Sequence, residues 1–219
     1  AALAMALYQP CFFGGTARSG VAVGTIVTMA SAPVFAGLLE PLLGRGRPDV
    51  RWTMATAVAV VGVVLVVGPT GGGDGGALGP LLSLGAGLGY ATFAHATKEV
   101  VATHPPTLVM GVALTGAGLV LAPVLLVVDL DWVATGRGVG AVLHLGLLAT
   151  ALAYVLYGRG LARVPVAETT TLSLVEPVVA ATLGLMVVGE AFSGPMAVGA
   201  VLVGGALLVV GTSRRATAA

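Results

Sequence analysis

Apolar residues run along this chain in long blocks, and the polar ones collect in the short gaps between them. A helix that crosses a bilayer takes about 20 mostly apolar residues. Eight blocks read as such helices: a, roughly 1–15; b, 19–43; c, 53–68; d, 77–97; e, 107–128; f, 138–157; g, 164–188; and h, 195–212. Gly68-Pro69 closes c, the glycine run Thr70–Gly76 leads to d, His104-Pro-Pro106 separates d from e, and the polar turn Asp129–Arg137 separates e from f. The pattern predicts an all-α fold, a polytopic membrane protein with eight transmembrane helices.

Charge placement gives these blocks a direction. The b–c, d–e and f–g gaps and the C-terminal tail hold Arg45, Arg47, Arg51, Lys98, Arg159, Arg163, Arg214 and Arg215, whereas the alternate gaps hold only Arg18 and Arg137. Basic residues stay on the cytoplasmic side. The first set is therefore expected in the cytoplasm, with the C-terminus beside it. Asp74, Asp129, Asp131 and Glu190 collect on the other side. All gaps obey one alternation, which supports the helix count.

Composition narrows the class further. Of 219 residues, 57% are hydrophobic and 9% charged, and the mean hydropathy is +1.04. Soluble domains carry about 25% charge, so the lipid bilayer is the expected surrounding. A net charge of +1 offers no basic surface to a nucleic acid. The single Cys11 excludes a disulfide framework and a cysteine-rich metal site, and the three histidines have no metal-ligand spacing. The glycine run Gly71–Gly76 lacks the lysine of a nucleotide-binding loop. No cofactor, metal or catalytic nucleophile–base pair is expected. The 34 glycines, as at Gly85-Ala-Gly-Leu-Gly89, point to close helix packing.

The first and last thirds of the chain repeat each other. Ala17-Arg-Ser-Gly-Val-Ala22 aligns with Ala162-Arg-Val-Pro-Val-Ala167, preceded by Tyr8 and Tyr154 at similar distances. Ala32-Pro-Val34 aligns with Glu176-Pro-Val178, and Val63–Gly68 with Ala206–Gly211. Blocks a, b, c thus recur as f, g, h. An odd number of helices separates the copies, so they face opposite ways across the membrane, and inverted repeats of this kind mark secondary transporters. Blocks d and e lack partners. The expected parent is a ten-helix, five-plus-five inverted repeat, with this chain N-terminally truncated by about 70 residues. Residues 1–69 would be the remainder of the first repeat, 70–76 a linker, 77–212 the second repeat and 213–219 a cytoplasmic tail.

With Leu174-Val-Glu-Pro-Val178 followed by Gly189-Glu190, the chain resembles the EamA-type transporters of the drug/metabolite transporter superfamily. The first copy matches through Ala32-Pro-Val-Phe35 but has Arg47 where that family often has glutamate. The resemblance implies a bacterial inner-membrane protein that exports amino acids, metabolites or drugs.

Block g holds the most expensive residues. An acid at mid-bilayer costs a few kcal/mol, and Pro177 behind Glu176 breaks a helical hydrogen bond. Thr169, Ser173 and Glu176 fall at i, i+4 and i+7, one polar stripe that lipid cannot satisfy. Glu176 is expected to be buried beside a cavity. Its counterpart in the first copy is Ala32, so the repeat itself does not require the carboxylate; packing against neighbouring hydroxyls is the alternative to a solute contact. Thr150 and Tyr154 share a face of f, and Tyr90 and Tyr8 sit within d and a; ring plus hydroxyl suits an amphipathic solute. Tyr8 and Tyr154 also fit an interfacial aromatic belt. His95 is a candidate gate, His144 a structural histidine or proton relay, and Lys98 is expected to snorkel. Pro177 is expected to free carbonyls as ligands. The candidate cavity set is therefore Glu176, Pro177, Ser173, Thr169, Tyr154, Thr150, Tyr90, His95 and Tyr8. The expected function is secondary transport of a small molecule, with protons as a candidate coupling ion. An intramembrane enzyme using Glu176 and His144, and a structural membrane subunit, are the competing readings.

Overall fold

The computed structural model describes residues 1–44, 46, 48–67, 76–176, 179 and 194–213. They form helices without a strand. In chain order these are α1 (Ala2–Ser19), α2 (Val21–Leu42), α3 (Val50–Val67), α4 (Leu78–Val101), α5 (Pro106–Leu121), α6 (Gly136–Arg163), α7 (Val166–Leu172) and α8 (Gly194–Ser213). Pro177, the loop 70–75, Gly189, Glu190 and the tail arginines, for which the sequence raised expectations, lie outside the described residues.

By length and composition, Val23–Leu42, Pro106–Leu126 and Gly136–Arg163 are long and apolar enough to cross a membrane; Val50–Leu65 and Ala197–Ala206 are shorter apolar helices. The burial of these segments explains their composition. None of the apolar window of α6 is buried, and little of α5 is, so lipid must be their solvent. Helix α4 is the opposite case. It touches α1, α2, α5, α6 and α7 and buries Ser83, Phe93, His95 and Thr97. It can carry polar groups because neighbouring backbone satisfies them. The Ser83 hydroxyl donates to Gly79 O (3.1 Å) and Thr97 to Phe93 O (2.6 Å). His95 Nε2 lies 3.0 Å from Ala36 O on α2; a carbonyl only accepts, so Nε2 carries the proton.

Lipid tails are as apolar as leucine, so close packing must hold these helices together. Small residues permit it. A Cβ at Gly87 would run into Ser31 and stand 3.0 Å from the Thr28 carbonyl oxygen. Thr28 in turn donates across the same interface to Ser83 O (3.1 Å). A Cβ at Gly62 would stand 2.8 Å from Gly199 O, where α3 meets α8. The paired positions also give directions. Residues 4, 15 and 19 of α1 meet 89, 83 and 79 of α4, an antiparallel pair. Residues 28, 31 and 36 of α2 meet 83, 87 and 95, a parallel pair.

Helix ends differ from the sequence expectation in several places. Helix α1 continues through Ser19, because Arg18 folds back to donate to Gly14 O (3.1 Å). The turn into α2 is Gly20 alone, at φ 85°, a conformation L side chains resist. Helix α6 overruns block f at both ends and is not a uniform α-helix: His144–Leu152 is π-helical. Its start is capped by the Thr135 hydroxyl, which accepts from Gly138 N–H (3.0 Å).

Lys98 bonds to the end of a neighbouring helix. Nζ donates to Leu161 O (2.6 Å), Val164 O (3.0 Å) and Ala162 O (3.3 Å), the carbonyls at the end of α6. A helix C-terminus leaves its last carbonyls unpaired and carries partial negative charge, so a half-buried ammonium from α4 suits it. Lys98→Met is expected to lower the melting temperature of the detergent-solubilised protein, by a loss of about 1.5–3 kcal/mol. Arg159→Met, on the exposed face of α6, should leave it near wild type. Equal melting of both variants would remove the capping role.

Candidate functional site

A cavity of about 500 Å3 opens among α1, α2, α4, α6 and the chain just past α7. Helix α1 contributes Tyr8 and Phe12, one turn apart and stacked (ring centroids 5.7 Å, 15°). Helix α2 contributes Thr25, Thr28, Met29 and Ala32, a single face at i, i+3, i+4 and i+7. Helix α4 contributes Tyr90, and α6 contributes Ala149, Ala153, Tyr154 and Tyr157. Ser173 and Glu176 complete the lining.

The rings touch in series. Tyr8 meets Tyr90 at 6.1 Å, Tyr90 meets Tyr157 at 6.2 Å, and Tyr157 meets Tyr154 at 6.0 Å between centroids. Buried Phe93 backs Tyr154 edge-on (6.0 Å, 81°). Aromatic pairs in such offset and edge arrangements add stability beyond their area, so one wall of the cavity is a braced aromatic sheet. Polar contacts tie it to α7: Tyr90 Oη and Ser173 Oγ are 3.1 Å apart.

Helix α7 stops at Leu172 for a local reason. Thr169 donates to Pro165 O (2.9 Å), Thr170 to Ala167 O (2.9 Å) and Thr171 to Ala167 O (2.9 Å). Hydroxyls that bond back to the preceding turn weaken and bend a helix. Beyond them Leu174 N–H donates to Thr171 O and Glu176 N–H to Ser173 O, three residues back rather than four. The chain therefore tightens through Ser173–Leu174, and Glu176 comes out facing the cavity, exposed rather than buried as expected.

The cavity thus brings together Tyr8, Tyr90, Tyr154, Ser173 and Glu176 of the residues singled out from sequence. Thr169 is buried, bonded within its own helix and outside the lining; the expected stripe is broken where α7 ends. Thr150 also lies outside it. The π-helical stretch closes i to i+5, not i+4, so Thr150 and Tyr154 do not stack as an α-helix would have them; Ala149 and Ala153 take the lining positions. His95 is held against Ala36 O and is not in the lining. His144 is exposed at the first residue of the π stretch, also outside the lining. Sequence reasoning passed over Phe12 and Tyr157. The signals were there: Phe12 is i+4 from Tyr8, and Tyr157 is i+3 from Tyr154, hidden because block f was ended at 157.

Comparison with known proteins agrees with this architecture. Residues 77–212 match the EamA-like transporter family. The chain is 37% identical over 215 residues to the Bacillus subtilis (strain 168) protein named uncharacterized transporter YwfM, covering 98% of this chain and 73% of that one. A solved crystal structure, named only as that of a protein, superposes with a TM-score of 0.78 at 24% identity, over 93% of this chain and 72% of its own; at that identity the likeness concerns the fold. A multi-pass helical protein with apolar outer helices, matched in this way, is a membrane transporter, and the chain belongs to the EamA-like transporter family.

Proposed function

We propose that the protein is a secondary transporter that exports a small organic solute by alternating access, with this cavity as the solute site. The carrying observation is where the cavity's walls come from. Ala32 and Glu176 are equivalent positions in the two sequence copies, and both line it. Tyr8 and Tyr154, equivalent in the same way, line it too. A site shared between inverted copies becomes accessible from either side when the copies rock against each other. The antiparallel packing of α1 on α4 and the parallel packing of α2 on α4 are the directions expected of consecutive membrane crossings. They support reading the eight blocks as helices of a ten-helix, five-plus-five inverted repeat in a bacterial inner membrane, C-terminus in the cytoplasm. Glu176 and Tyr8, Tyr90 and Tyr154 are the proposed solute contacts, and a proton on Glu176 is the candidate coupling ion.

Topology tests the inverted arrangement. In a Cys11→Ser background, single cysteines in the 45–51 loop and the 213–219 tail should react with an impermeant thiol reagent only from the cytoplasm. Those in 70–76 and 129–137 should react only from outside. One swapped pair would break the inverted repeat. Proteoliposomes supply the functional test: solute should cross unmodified, whereas a chemically altered product formed in detergent would argue for an enzyme.

A further inference from the structure

We propose that the solute taken by this cavity is an organic monocation, an ammonium whose nitrogen is shielded by methyl or other alkyl groups, and not an amino-acid zwitterion. This rests on the reading of the cavity as the solute site. The first argument is charge. Among the described residues that line the cavity, Glu176 is the one ionisable acid and there is no lysine, arginine or histidine. The bases closest in sequence to Tyr90 are engaged elsewhere: His95 with Ala36 O, Lys98 with three carbonyls at the end of α6. A zwitterion would bring a carboxylate into a site whose described lining offers it no cation, next to a carboxylate of the same sign. A cation meets an opposite charge.

The second argument is the aromatic wall. Tyr8, Phe12, Tyr90, Tyr154 and Tyr157 form a connected ring surface. The negative face of an aromatic ring attracts a cation, and shielded ammonium groups are the ligands that aromatic surfaces recognise. A primary ammonium carries three N–H donors that need acceptors. An alkylated one needs none and presents apolar surface to Met29 and Ala32, which share the lining with the rings. Three of the lining hydroxyls already donate to protein partners, Thr28 to Ser83 O, Ser173 to Thr169 O and Tyr154 to Met5 Sδ, so their protons are spent and do not serve a zwitterion's carboxylate. The volume of about 500 Å3 falls within the roughly 300–1,000 Å3 common for small-molecule sites.

The test is equilibrium titration of the detergent-solubilised chain with three probes of similar size: benzyltrimethylammonium, phenylalanine and benzyl alcohol. The ammonium should bind at least tenfold more tightly than either of the others. Tyr157→Leu should weaken it about tenfold, and Tyr157→Phe, which keeps the ring, should retain most of the affinity. Glu176→Gln should also weaken it by tenfold or more. Phenylalanine binding as well as the ammonium, or no binding of the ammonium, overturns the proposal. Equal loss in Tyr157→Phe and Tyr157→Leu overturns it as well. The comparison of probes on the unmodified chain decides even if a variant fails to fold. Parallel flux assays separate the two readings. Uptake of amino acids by the full-length ten-helix protein with no ammonium binding sinks the solute class and leaves the transporter; ammonium binding without flux of any solute by that protein leaves the cation site and sinks transport.

Discussion

Glu176→Gln should leave the protein folded and cut solute flux by tenfold or more. The amide has nearly the shape of the carboxylate, and Glu176 opens into the cavity instead of supporting a neighbouring helix, so melting temperature and expression should hold. What disappears is the negative charge. A contact to a charged group is worth on the order of 1.5–3 kcal/mol, which corresponds to roughly tenfold to a hundredfold at 1.4 kcal/mol per decade. The measurement is initial uptake into proteoliposomes at matched protein density. A folded variant with wild-type flux would mean that the carboxylate serves packing or solvation alone, and the transporter reading would then stand without this residue.

The largest effect on the fold is expected from Gly87→Leu. The α2–α4 interface is held at contact by the missing side chain: Ser31 and the Thr28 carbonyl occupy the space a Cβ would take. One of these obstacles is backbone, which cannot swing aside as a long side chain would. Overpacking costs typically 1–3 kcal/mol, and here it would also pull Thr28 from Ser83 O and His95 from Ala36 O along the same seam. Purified yield and melting temperature should both collapse. Gly111→Leu, on α5 with nothing within 4 Å of its Cβ position, should be tolerated. If Gly87→Leu melts like Gly111→Leu, the seam is not what sets the distance between these helices.

Much of the fold was legible because a bilayer imposes a coarse rule. Helices α5 and α6, the less buried of the three described helices of spanning length, are strongly apolar, and their blocks stand out in the sequence. Helix α4 was legible as a block but not as the centre of the packing. Its histidine and lysine are admissible there because Ala36 O and the end of α6 receive them, and those partners lie about 60 residues away in sequence. The candidate site was legible by residue type more than by register. Tyr8, Tyr90, Tyr154, Ser173 and Glu176 converge on the cavity. Thr150 and Thr169 do not, because reading them onto it assumed unbroken α-helices through a π-helical stretch and through three consecutive threonines that bond backwards. Neither departure leaves a mark in a hydropathy pattern.

Alternating access through this cavity is the central claim, and cysteine accessibility tests it without knowledge of the solute. In a Cys11→Ser background, Ala153→Cys places one thiol in the cavity lining. Right-side-out and inside-out vesicles are then exposed separately to a membrane-impermeant thiol reagent. The account predicts labelling from both faces, with a covalently labelled cavity losing transport. Labelling from one face only, or from neither, would contradict it.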